Sequence, residues 1–237
     1  MFRLFQEIRQ QEATGNNSLT FWAYAIGEFV LLVLGILIAL QIENWNQHRQ
    51  DKKLEKVLLT EMLLNLKTDL KDVESNLEFH NRVKRSNEII LQHIVQNKPY
   101  HDSLALHFGL SGGSTIFKKN TSAYESMKSI GIDIISNDNL RQQITYLYSV
   151  QYNYIQEFQV FDINYTIEHL INISYKHFDL IEMWKSAQPI NYEELKKDQE
   201  YKEHLKLHIF NREFIVSQYE HAKALIETLI KDIEEEI

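Results

Sequence analysis

Cysteine is absent from this chain, and only two prolines and seven glycines occur among its 237 residues. The missing cysteine excludes disulfides, thiol nucleophiles and thiolate metal sites, and suits an oxidising or a reducing compartment equally. Strand-rich domains need frequent turn residues, yet after Gly131 there is one proline, Pro189, and no glycine. That scarcity predicts long helices and an all-α soluble part. Basic residues are also in deficit, 25 Lys and Arg against 33 Asp and Glu for a net charge of -8, and they are scattered among acids. A phosphate-binding protein shows a basic face, so nucleic acid is not an expected partner.

What is present is one long apolar run. Residues Thr20 to Ile42, TFWAYAIGEFVLLVLGILIALQI, carry a single ionisable side chain, Glu28. At a 1.5 Å rise the run reaches roughly 34 Å, enough for a hydrocarbon core of about 30 Å. It is too long for a signal-peptide centre, and the following QIENWNQHRQ offers no small-residue cleavage site, so an uncleaved anchor is expected. Trp22, Tyr24 and Trp45 stand where amphipathic rings favour the headgroup level. The expected organisation is a tail over 1–19, a transmembrane helix over 20–45 and a soluble helical-bundle domain over 46–237, which is long enough to bury one core.

Within the tail, Phe2, Phe5 and Ile8 share a helical face, as in a short helix lying on a membrane, the alternative being a frayed terminus. Ser18 is the expected N-cap of the anchor. From the end of the anchor to about Gln96 no Gly or Pro interrupts the chain, so the anchor helix is expected to continue into the soluble part. Leu59, Leu63, Leu66, Leu70, Val73 and Leu77 alternate spacings of four and three, the seam of a bundle or coiled coil. Ser122 and Glu125 match a capping box, with a helix expected to end near Gly131 and Ser136 or Asn137 capping the next. A second seam runs through Leu140, Ile144, Leu147, Tyr154, Phe158, Phe161 and Tyr165, with helix expected to about Lys185. A third, after Pro189, takes Ile215, Tyr219, Ala222, Ile226, Leu229 and Ile233. Three long helices suggest an antiparallel bundle.

Two stretches, residues 24–46 (YAIGEFVLLVLGILIALQIENWN) and 122–148 (SAYESMKSIGIDIISNDNLRQQITYLY), resemble an uncharacterised family of small membrane-anchored helical proteins common in Bacteroidetes. The order GE, then GI-x-IALQI, then NWN carries most of the likeness. The resemblance implies a bitopic protein with a helical domain of unknown function and supplies no catalytic residue. Relatives of this kind often carry several lysines before the anchor, where this chain has Arg3 and Arg9.

Glu28 would lie about 9 Å inside the hydrocarbon if the latter begins near Trp22, and intramembrane ionisable groups usually face protein. Gly35 and Ala39 fall on the seam with Glu28, and Ala23 and Gly27 form an adjoining small-xxx-small pair, so the anchor is expected to pack against another copy. The alternative is a tilted helix whose carboxylate snorkels to the interface. Gln41, Glu43 and Asn44, beside Trp45, form a polar collar that reads as a wetted interface, or as part of an ion path if the oligomer encloses one.

His204 and His208 stand four apart on a helix, but KEHLKLH lacks the H-E-x-x-H base, and no metal site or cofactor is expected. Ser111–Thr115 (SGGST) reads as a linker, since the P-loop lysine is missing. The aromatic run from Tyr146 to Tyr165 reads as a core stripe, with Tyr148 and Tyr152, off the seam, the candidates for ligand contact.

Arg49, Lys52, Lys53 and Lys56 follow the anchor and outnumber Arg3 and Arg9, which favours a cytoplasmic bundle. The resemblance, with its lysine-rich tails, points to a periplasmic one, and that side of an inner membrane is expected. The reading is an oligomeric membrane-anchored scaffold or interaction protein, not an enzyme, with lipid, its own copies and an unknown protein as partners. Its rivals are a ligand-binding module acting through a partner and a small channel built on the anchor.

Overall fold

The computed structural model describes residues 18–182 and 184–237. The expected tail therefore lies outside the described residues, apart from its last two positions. The chain divides into two units at Leu54/Glu55.

The fold is all-α, with one short hairpin. Helix α1, Ser18–Val95, runs for 78 residues without interruption, as the absence of Gly and Pro after Gly35 allows. It stops at Asn97, whose φ of 51° marks a left-handed residue after the helix end. Lys98 N–H returns to the His93 carbonyl at 3.0 Å, closing a Schellman-type cap, and Pro99 prevents resumption.

The first unit holds α1 up to Leu54. From Ile26 to Gln50 nearly every residue is exposed, including Glu28, Gly35, Ala39, Gln41, Glu43 and Asn44, with Trp22 and Trp45 exposed as well. The side chains of Ala23 and Tyr24 lie outside the described residues.

In the second unit α1 continues beside α2 (Leu104–Leu110), α3 (Ser122–Ile130), a 3-10 turn (Ile132–Ile134) and α4 (Asp138–Tyr146). A π turn (Leu147–Gln151) leads into α5 (Tyr152–Tyr165), and a second (Thr166–Leu170) into α6 (Ile171–His177). Strands β1 (Phe178–Glu182) and β2 (Ser186–Pro189) then pair antiparallel, before the short α7 (Tyr192–Leu195) and the long α8 (Gln199–Glu236). Ion pairs Lys67–Glu234, Glu74–Lys223 and Lys84–Glu213 show α1 and α8 running antiparallel.

Caps follow local chemistry. Asn137 accepts from the amides of Asn139 and Leu140 to start α4, and Asp198 accepts from Tyr201 N–H to start α8. The expected capping box is not formed as such: Thr121 precedes α3, and the Ser122 hydroxyl accepts from Asn65 instead. Helix also stops at His177 rather than Lys185, because the chain turns into the hairpin. Gly109 permits the close approach there, since a Cβ at that position would sit 2.5 Å from the Ser186 amide nitrogen.

The first and third expected seams face the core, with Leu66, Val73, Tyr219, Ala222, Ile226 and Ile233 fully enclosed and Leu70 and Leu77 partly buried against it. The second is buried only as far as Leu147. Its π turn inserts one extra residue, which rotates the remaining face. Tyr152, Ile155, Gln159 and Asp162 point inward, while Tyr154 and Phe161 are 46% and 54% exposed.

Candidate functional site

The apolar core of the second unit is divided. One cluster gathers Leu58–Val73 of α1 with α3, α4 and the C-terminal half of α8; another gathers Ile90, Ile94, Leu104, Phe108, Tyr192, Tyr201 and Leu205. Between them most inward positions are polar, with Val83 an apolar exception: Asn76, His80 and Asn87 on α1, Gln159 and Asp162 on α5, and His204, His208, Asn211 and Arg212 on α8. On α8 these four residues continue the face of Ile215, so a helix that is hydrophobic toward its C-terminus presents polar groups one layer earlier.

At the centre is Arg212, fully enclosed. Its Nη1 and Nη2 each donate to one oxygen of Asp162 at 2.8 Å, a bidentate charge-assisted pair. Nη1 also lies 3.2 Å from His80 Nδ1. Since a guanidinium can only donate, Nδ1 accepts, and the imidazole proton sits on Nε2, 3.0 Å from the Thr115 hydroxyl. Burial, reinforced by the Arg212 charge, pushes the His80 pKa down to about 3. His80 stacks on Tyr219, whose hydroxyl accepts from Gln159 at 2.7 Å.

A histidine step adjoins this pair. The rings of His204 and His208 are 4.7 Å apart, and Tyr165 stacks parallel to His204 with its hydroxyl 3.0 Å from Nδ1. Burial holds His204 near pKa 4, with His169 adding to the push. Burial also drives the His208 pKa well below its ordinary value, aided by Arg212 and His204. The Ser111 backbone lies on its polar side and opposes the shift, without forming a well-aligned hydrogen bond. Among the described residues no three His, Asp or Glu side chains are gathered in a way that would hold a metal ion.

Tyr148 and Tyr152, singled out in the sequence for ligand contact, are 3% and 0% exposed. Tyr148 stacks on Tyr124 at 4.6 Å, and the Tyr152 hydroxyl donates to Asp69 at 2.9 Å. Burial raises the Asp69 pKa against the lowering hydrogen bonds from Asn120 and Tyr152. The π turn brings both tyrosines into the core, and the same rotation leaves an aromatic recess of about 350 Å³ on the outside, lined by Tyr154, Glu157, Phe158, Phe210 and Phe214.

The anchor candidates Glu28, Gly35, Ala39, Gly27, Gln41, Glu43 and Asn44 all lie on exposed positions of the first unit, away from this polar layer in sequence and grouped by helix periodicity alone. Sequence reasoning passed over Arg212, Asp162 and His80. The available signal was that the α1 and α8 seams both change from apolar to Asn, His and Arg at inward positions.

These features define a helical-bundle protein with one long N-terminal helix that carries an exposed apolar segment. A family model described as a family of unknown function, DUF6090, matches residues 28–202, and the chain belongs to that family. No curated protein and no solved structure matches it.

Proposed function

We propose that the chain is a single-pass inner-membrane protein whose helical bundle, on the periplasmic side, acts as a non-catalytic scaffold or interaction module, with copies assembled through the anchor. The observation that carries this reading is the exposure of the apolar part of α1. Its 18-residue window of mean hydropathy 2.4 is wholly unburied, which water would penalise and lipid would not. A core helix of a soluble protein would have its apolar face covered.

The small residues support assembly. A Cβ added at Gly27 or Gly35 would meet nothing within 4 Å, so neither glycine serves packing within the described chain. On a lipid-embedded helix such positions let a second backbone approach closely. Membrane insertion is tested by alkaline carbonate extraction: the full chain stays in the pellet, and a chain lacking residues 18–45 is released. Release of the full chain would overturn the reading. A C-terminal alkaline-phosphatase fusion is expected to be active, and an inactive fusion would place the bundle in the cytoplasm.

A further inference from the structure

Buried polar atoms without a hydrogen-bond partner are concentrated in one place. Among the described residues nine such side-chain atoms occur, and six belong to the polar layer: Asn87 Oδ1, Thr166 Oγ1, both ring nitrogens of His208, Asn211 Nδ2 and Arg212 Nε. Folded proteins satisfy nearly all buried polar groups, so a group of six asks for an occupant. The six come from α1, the second π turn and one face of α8. His208, Asn211 and Arg212 stand at i, i+3 and i+4 on one face of α8. Across from them, Asp162 pairs with Arg212 and Tyr165 with His204, and Thr166, the first residue of the second π turn, follows directly. Asn87 donates to the Ser111 carbonyl, beside which His208 packs.

The chemistry is donor-rich. Arg212 Nε and Asn211 Nδ2 can only donate, a neutral His208 donates from one nitrogen and accepts at the other, the Thr166 hydroxyl turns either way, and Asn87 Oδ1 accepts. A cation would face these N–H groups, the Arg212 charge itself being matched by Asp162. The layer is also tightly occupied by its own side chains, with Arg212 touching both His80 and Asp162, so the occupant is small. We propose that this layer is a binding site for one small monovalent anion of about the size of water, held by Thr166, His208, Asn211 and Arg212. The site does not depend on the membrane reading. π turns recur at functional sites in helices, and one begins at Thr166.

Chloride and bromide are the probes. The intact chain in detergent is melted at fixed pH and ionic strength in sodium chloride or sodium gluconate. The melting temperature is expected to rise roughly 3–5 °C for each tenfold increase in chloride above the dissociation constant, and Asn211→Leu is expected to abolish the rise. Identical melting in both salts would overturn the proposal. Should Asn211→Leu fail to fold, bromide in crystals of the unaltered chain decides: an anomalous peak within hydrogen-bond reach of Arg212 Nε supports the site. Ordered water alone at that position, or bromide confined to the surface, would overturn it.

Discussion

Arg212 heads the fully buried side chains by volume, and its charge sets the energetics of the polar layer. A buried pair costs desolvation that its attraction roughly repays, whereas half a pair leaves an uncompensated charge. Arg212→Met alone should therefore destabilise the bundle by about 3–5 kcal/mol in denaturant melts. Arg212→Met combined with Asp162→Leu should recover most of that loss, and a double variant as weak as the single one would show that the pair is not the cause. The histidines make stability pH-dependent. His80, His204 and His208 are neutral when folded, with His80 near 3 and His204 near 4. The unfolded chain takes up protons near pH 6.5, so their contribution is complete above that pH and is lost as pH falls from 6.5 toward 4. The loss amounts to about 1.4 kcal/mol per histidine per pH unit. Asp69, raised by burial, has the opposite sign and offsets part of the loss on acidification. Melts between pH 7.5 and 4.5 check this, and removing one histidine by His80→Asn should flatten the slope. These groups were hard to see in the sequence because His80 and Arg212 are 132 positions apart and meet only through the antiparallel pairing of α1 and α8.

The helices show why periodicity succeeds in one element and fails in the next. On α1 and α8 the four-three spacing held because an uninterrupted helix keeps its face, and Leu59, Leu66, Tyr219 and Ile233 are buried where that spacing puts them. Between Leu140 and Tyr165 the same count was carried across a π turn that no residue pattern announces. One inserted residue turned Tyr154 and Phe161 outward and brought Tyr152 and Asp162 in. Deleting Val150, an exposed residue inside that turn, would restore ordinary helix and rotate α5 by about 100°. Asp162 would then leave Arg212, so the deletion should cost as much as losing the pair, and unchanged melting would contradict the assigned role of the turn. The hairpin was equally unannounced. It depends on Gly109, whose missing side chain admits the Ser186 backbone, and on the Trp184 amide donating to the Gly109 carbonyl at 3.0 Å. Neither contact is local in sequence.

For the molecule as a whole, the all-α class and the apolar N-terminal helix were legible, because scarce Gly and Pro and a long apolar run are compositional and survive errors of register. The polar layer was not, because it exists only where three elements converge. The DUF6090 match extends over residues 28–202, so it covers most of the apolar part of α1 and the α1 and α5 sides of the polar layer, and stops short of His204, His208, Asn211 and Arg212. The proposed role requires that this helix both enter a bilayer and bring copies together. The most direct measurement is the mass of the intact chain in mild detergent by size-exclusion chromatography with light scattering, beside Gly35→Leu, whose side chain would block close approach. A defined multimer is expected for the unaltered chain and a monomer for the variant. A monomer in both cases, or an intact chain that stays dissolved and monomeric without any detergent, would contradict that role.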